Sequence, residues 1–205
     1  MKAFLLFISF VFLFVKTNTA QTTTLGNPKG VYAEINVTEQ NKMLELLIDT
    51  TTRGIAIDSI FKNLKHYNPP VLYLFSSALF VGGEQENGLD WYLYAQLCSL
   101  YDANRCADTS AKQATIVLEN SFRPYFEKYI SQNKAIYEKG INEAINLFER
   151  IHTDYDHRWI NLHGMDAILS SFDDISQHPL SLSEESWPGI KLKTIEYFKK
   201  INHLK

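Results

Sequence analysis

Cysteine is scarce in this 205-residue chain, which holds only Cys98 and Cys106. That excludes a small disulfide-stapled scaffold, which needs several bridges. Basic charge is not in excess: 20 Lys and Arg stand against 23 Asp and Glu, a formal net charge of −3. A dedicated nucleic-acid binder would be basic, so no nucleic-acid partner is expected. With 9 Gly and 6 Pro there is no collagen-like or Pro/Gly-rich low-complexity chain. Beyond residue 15 no stretch is apolar enough to span a bilayer. The chain does have 45% hydrophobic residues and only 21% charged ones, which excludes disorder. The remaining class is one globular domain, long enough to bury a sizeable core.

The apolar residues are unevenly placed. Lys2 precedes a run from Ala3 to Val15 that is apolar except for Ser9. Thirteen residues suit the core of a signal peptide and fall short of a bilayer span. Thr19 and Ala20 are small, so residues 1–20 read as a signal peptide cleaved after Ala20, and 21–205 as a single helical domain. Cleavage removes Lys2 and Lys16 and no acid. Lys and Arg fall from 20 to 18 against 23 acids, giving −5. No stable membrane span is expected after cleavage.

Val31, Ala33, Ile35 and Val37 alternate with more polar neighbours, which predicts one short N-terminal strand or extended segment. In Asn36-Val37-Thr38, Thr38 reads as a helix N-cap ahead of an N-glycosylation acceptor. Helical periodicity follows. One stripe holds Met43, Leu46 and Leu47, and a second holds Ile57, Ile60, Phe61 and Leu64, stopped by Asn68-Pro69-Pro70. Val71–Val81 is closed by Gly82-Gly83. The stretch from Gly88 to about Ala103 is apolar on nearly every face and belongs at the centre. Asp108 or Ser110 caps the next helix, Pro124 is expected to break it, and Ser131 to cap a longer one through Ile136–Ile151. Pro188 opens the last helix. The expectation is a mainly α, compact domain of about six to eight helices.

Residues 71–97 resemble a single tetratricopeptide or Sel1-type helical hairpin. Small Ser76, Gly88 and Ala95 let the paired helices approach, while Phe75, Leu79 and Tyr92 fill between them. No second copy follows at a spacing of ~34 residues, and any two antiparallel helices joined by a Gly turn would read similarly. A longer stretch, roughly 70–165, resembles a family of uncharacterised exported Gram-negative bacterial proteins. It is carried by Asn68-Pro69-Pro70, by Trp91-Tyr92 with Ala95-Gln96-Leu97, and by Tyr101-Asp102-Ala103-Asn104-Arg105-Cys106-Ala107-Asp108. Asp154-Tyr155-Asp156, Arg158-Trp159-Ile160 and Leu162-His163-Gly164-Met165 complete it. The resemblance implies export to the periplasm or beyond, and lends no activity and no catalytic residues.

Three groups of residues are candidates for a site. Cys98 and Cys106 sit in an exported chain, where disulfides persist. In an unbroken helix their Cα atoms would lie ~12 Å apart, beyond the ~7 Å reach of a bridge. A disulfide therefore requires the helix to end between them, around 101–104; otherwise Cys98 is a buried thiol and Cys106 a surface one. The second group is polar: His152, Asp154, Asp156, His157, Arg158, His163 and Asp166. Imidazoles and carboxylates can hold a divalent ion and activate water, so His152, Asp154, Asp156, His157 and His163 are candidate metal ligands. Their spacing fits no His-Glu-x-x-His pattern. A structural use is open too, with Asp156 capping a turn, Arg158 in an ion pair, and Trp159 packed. The third group is Trp91 and Tyr92, at helical spacing in an aromatic stretch, which suits either core or a binding groove. A binding or structural motif is thus expected from Trp91, Tyr92, Asp156, Arg158, Trp159 and His163.

No catalytic constellation and no cofactor is read from the sequence. The expected function is an exported, non-enzymatic helical protein that binds another protein in the bacterial envelope, an immunity or inhibitor protein being one specific form. The competing reading is a small periplasmic metal-dependent hydrolase using the 152–166 stretch.

Overall fold

The computed structural model describes residues 29–171 and 179–203; the expected signal peptide at 1–20 lies outside them. The fold is all-α, with eight α-helices among the described residues. These are α1 (Thr38–Ile48), α2 (Arg53–Lys62), α3 (Pro69–Val81), α4 (Gln85–Arg105), α5 (Gln113–Gln132), α6 (Lys134–Arg150), α7 (Met165–Ser170) and α8 (Trp187–Ile201). No described helix is long and apolar enough to cross a membrane.

Helix α4 is the axis of the core. Leu89, Tyr92, Leu93, Ala95 and Leu97 are fully enclosed because α3, α6, α8 and α5 pack around them. Its partner α3 begins where the Pro pair predicts: the Asn68 side chain accepts from the Val71 N–H at 3.4 Å, and Pro69 and Pro70 occupy positions whose N–H groups would be unpaired. Gly82-Gly83 ends it, with Gly83 at φ +103°. The two helices then approach so closely at Gly88 that a Cβ there would stand 2.8 Å from both the Phe80 nitrogen and the Ser76 carbonyl oxygen. Only glycine fits this contact. Between the two helices Trp91 meets Phe75 with centroids 5.9 Å apart, while the Tyr92 ring stacks on Phe126 of α5 at 4.4 Å.

Several local expectations change. Residues 30–34 form a 3-10 turn in place of a strand: Tyr32 and Ile35, three apart, are buried against Ala167 and Leu180, while Ala33 is exposed. The period-2 pattern lost to a turn because no second strand exists among the described residues to pair with it. Thr38 is the first residue of α1 and no cap; its N–H donates to the Asn36 side chain at 3.0 Å. Pro124 does not break α5. It lies on the solvent face, and the carbonyl it leaves unpaired belongs to Asn120, which is exposed to solvent. Ser131 does not cap α6, which starts after Asn133; its hydroxyl donates back to the Lys128 carbonyl.

Candidate functional site

Both cysteines are free and buried. Helix α4 runs unbroken through Cys98 to Arg105, with Cys106 as the residue that follows it. The helix end that a Cys98–Cys106 bridge requires is therefore missing, and the expected disulfide is not formed. Burial pushes the Cys98 thiol up, far from a reactive thiolate, and raises Cys106 to about 11.

Trp91 and Tyr92 are core residues, 8% and 0% exposed, so the aromatic groove is overturned. Tyr92 spends its hydroxyl on Glu119 at 2.5 Å.

The polar stretch is drawn apart by different neighbours. Asp154 pairs with Lys65 at 3.0 Å and with His66. Asp156 caps the 3-10 turn His157–His163 through the Arg158 N–H and holds the Arg158 guanidinium through both oxygens, at 2.8–3.2 Å. His157 shares a hydrogen bond with Ser181 at 2.9 Å and meets the Trp187 ring edge-on. Burial first, then the nearby Arg105 charge, lowers His157 to about 4. His163 is lowered to about 4 by burial and lies edge-on to Trp159. Among the described residues no three His, Cys, Asp or Glu side chains converge to hold a metal ion. The expected metal set His152, Asp154, Asp156, His157 and His163 is dispersed because Asp154 and Asp156 are each taken by a different cation, while His157 turns to Ser181 and His163 to Trp159.

What converges instead is a buried polar node at the C-terminal end of α4. Asp102, 1% exposed, accepts from Arg105 Nη2 at 2.5 Å, from the Tyr155 hydroxyl at 2.9 Å and from Trp159 Nε1 at 2.8 Å. Burial pushes its carboxyl up, and Arg105 with the three hydrogen bonds pulls it back. Arg105 ends α4, where a cation suits the helix dipole. Residues 180–182 run antiparallel beside it: the Leu182 N–H donates to the Arg105 carbonyl at 2.8 Å, and Cys106 bridges to Ser181. The guanidinium lies between two rings, 4.1 Å from the Tyr101 centroid and 4.6 Å from that of Trp187.

Beside this node opens a cleft of about 200 Å³. Its α4 wall is one helical face, Cys98, Tyr101 and Arg105 at spacings of three and four. Phe148 of α6, with Ile151, His152, Thr153 and Tyr155 after it, forms a second wall. Lys191 of α8 completes it, one turn on from Trp187, with its ammonium 4.9 Å from the Phe148 centroid. Of the expected site residues only Cys98 and His152 line this cleft. Arg105, Lys191, Tyr101 and Tyr155 were missed. The spacing 98-101-105 and the pair 187-191 were visible in the sequence, but nothing local joins the two helices.

The chain matches no protein-family model, no curated protein and no solved structure.

Proposed function

We propose that this chain is an exported, non-enzymatic helical protein that acts by binding another protein in the bacterial envelope. The observation that carries the reading is the use made of the 152–166 stretch. Asp154 is spent on Lys65 and His66 and Asp156 on Arg158, His157 bonds Ser181, and no three ligand side chains of the described residues converge, so these groups serve to fasten the scaffold. Export rests on the leader pattern of Lys2, Ala3–Val15 and Ala20 and on the resemblance over 70–165. An immunity or inhibitor role against a secreted toxin is the specific form that the size and the −5 balance suit. The hairpin of α3 and α4 supports a tetratricopeptide-like scaffold through its close contact at Gly88.

The test uses the mature chain as bait in the periplasmic fraction of its host, followed by reconstitution from purified components. One partner recovered repeatedly and bound at fixed stoichiometry supports the reading, as would an adjacent gene encoding a toxin. Hydrolytic activity that His157→Ala or His163→Ala abolishes, in protein that still folds, overturns it.

A further inference from the structure

We infer that the cleft between α4, α6 and α8 is a binding site for a small organic carboxylate carrying an aromatic ring. This goes beyond the partner-protein reading and does not depend on it.

The cleft pairs a charge with an apolar wall. Its lining residues include Arg105 and Lys191 and no Asp or Glu. Asp102, behind the wall, is matched by Arg105 alone, so Lys191 is the uncompensated charge. Among the described residues no carboxylate lies within ion-pair distance of Lys191. Among the described residues its ammonium meets the face of Phe148. Arg105 is 7% exposed, and its Nε–H, enclosed away from the cleft, has no hydrogen-bond partner among the described residues. Its charge stands in the cleft wall and adds to the positive potential there, while the ammonium of Lys191 is the cation a ligand carboxylate would meet.

Size and walls select the rest of the ligand. About 200 Å³ is more than a benzene-sized cavity needs and less than a drug-sized pocket offers. The rings of Tyr101, Phe148 and Tyr155 and the side chain of Ile151 suit one aromatic ring. Inorganic phosphate would leave those walls without contact. Burial holds the Cys98 thiol far above its ordinary range, which makes it part of the wall and no nucleophile.

The carboxylate could belong to a free acid or to the C-terminus of a polypeptide, and two probes separate these. The full mature chain is titrated with phenylacetate and with an N-acetylated tripeptide ending in Phe, read by calorimetry and by the fluorescence of Trp187. Saturable binding of phenylacetate assigns the free acid; binding of the peptide alone assigns a chain terminus. In either case the matching amide should bind at least about tenfold more weakly, and Lys191→Met should cost at least about tenfold in affinity. Lys191 is half-buried near the start of α8, and unchanged thermal unfolding of that variant shows that it still folds. The inference is overturned if neither probe saturates, if the amides bind as well as the acids, or if Lys191→Met leaves affinity unchanged. Capture of a partner protein with an empty cleft would leave the functional proposal standing and this one refuted; a filled cleft without a partner does the reverse.

Discussion

Residues 88–97 and 98–105 lie on the same helix and are both enclosed, yet different physics holds them. The first half of α4 is packed by shape: Gly88 against the α3 backbone, Tyr92 on Phe126, Trp91 against Phe75. The second half is packed by pairing: Asp102 satisfies Arg105, Tyr155 and Trp159 at once. In the first half a substitution changes a volume. In the second it leaves a group without its partner, and the cost follows charge. A helix can therefore be structural along its whole length and still gather charge beside a cleft at one end only.

The largest effect separates these regimes directly. Asp102→Ala removes the acceptor of three donors and leaves a buried guanidinium uncompensated, so it should destabilise by about 3–5 kcal/mol in urea unfolding. Asp102→Asn should cost less, because one acceptor oxygen remains. If Asp102→Ala costs under about 1 kcal/mol, the node does not hold the second half, and the contrast fails.

Next comes pH, because the polar end reaches His163 through Trp159. An unfolded imidazole takes up its proton near 6.5, whereas burial holds folded His163 neutral down to about 4. Its stabilising contribution is complete above 6.5, is lost as pH falls from 6.5 to about 4, and changes no further below that. The loss amounts to about 3 kcal/mol. Asp90 works in the opposite sense, since burial and Glu86 raise it to about 6, and the folded chain there holds the extra proton first. Comparing the unaltered chain with His163→Phe removes the Asp90 contribution. The difference in unfolding free energy should slope only within that window, and a flat difference would detach His163 from the buried shell.

At the shape-packed end, Gly88→Ala places a methyl 2.8 Å from backbone atoms of Phe80 and Ser76. Backbone cannot rotate away as a side chain can, so α3 must shift. A cost of about 1–3 kcal/mol is expected, read as a lowered urea midpoint with the slope unchanged. A neutral or stabilising effect, as the better helix propensity of Ala would give alone, would show that the hairpin is not in close contact.

How much of this contrast is visible in the sequence depends on how local its causes are. Asn68-Pro69-Pro70, Gly82-Gly83 and Pro188 mark helix ends through their own backbone chemistry, and those ends are where they were expected. The continuous apolar character of 88–103 likewise identifies the central helix. Pro124 misled because its effect depends on whether Asn120 faces water, which is a tertiary fact. Residues 31–37 misled because alternation has meaning only where a partner strand exists. The 152–166 stretch was conspicuous as a concentration of polar groups, but the residues that decide its use, Lys65, His66 and Ser181, lie far away in the chain. The cleft was hidden for the same reason. Arg105 and Lys191 lie far apart in the chain, and only the packing of α8 on α4 brings them to one cleft.

The smallest effect lies on the rim of the polar end. Lys65 and His66 hold Asp154 and so fasten the segment that carries His152, Thr153 and Tyr155 into the cleft wall; the Asp154 N–H also donates to the Lys65 carbonyl at 3.0 Å. Lys65 is half-exposed, so its ion pair is screened by solvent, and Lys65→Met should cost only about 0.2–1 kcal/mol. The backbone bond survives the substitution, which keeps the segment in place. Hydrogen exchange at residues 152–155 should therefore rise only modestly over the unaltered chain, and by more in dilute buffer than in molar salt, where the pair is already screened. A loss comparable to that of Asp102→Ala would mean that this exposed pair, and not the buried node, organises the charged end of α4.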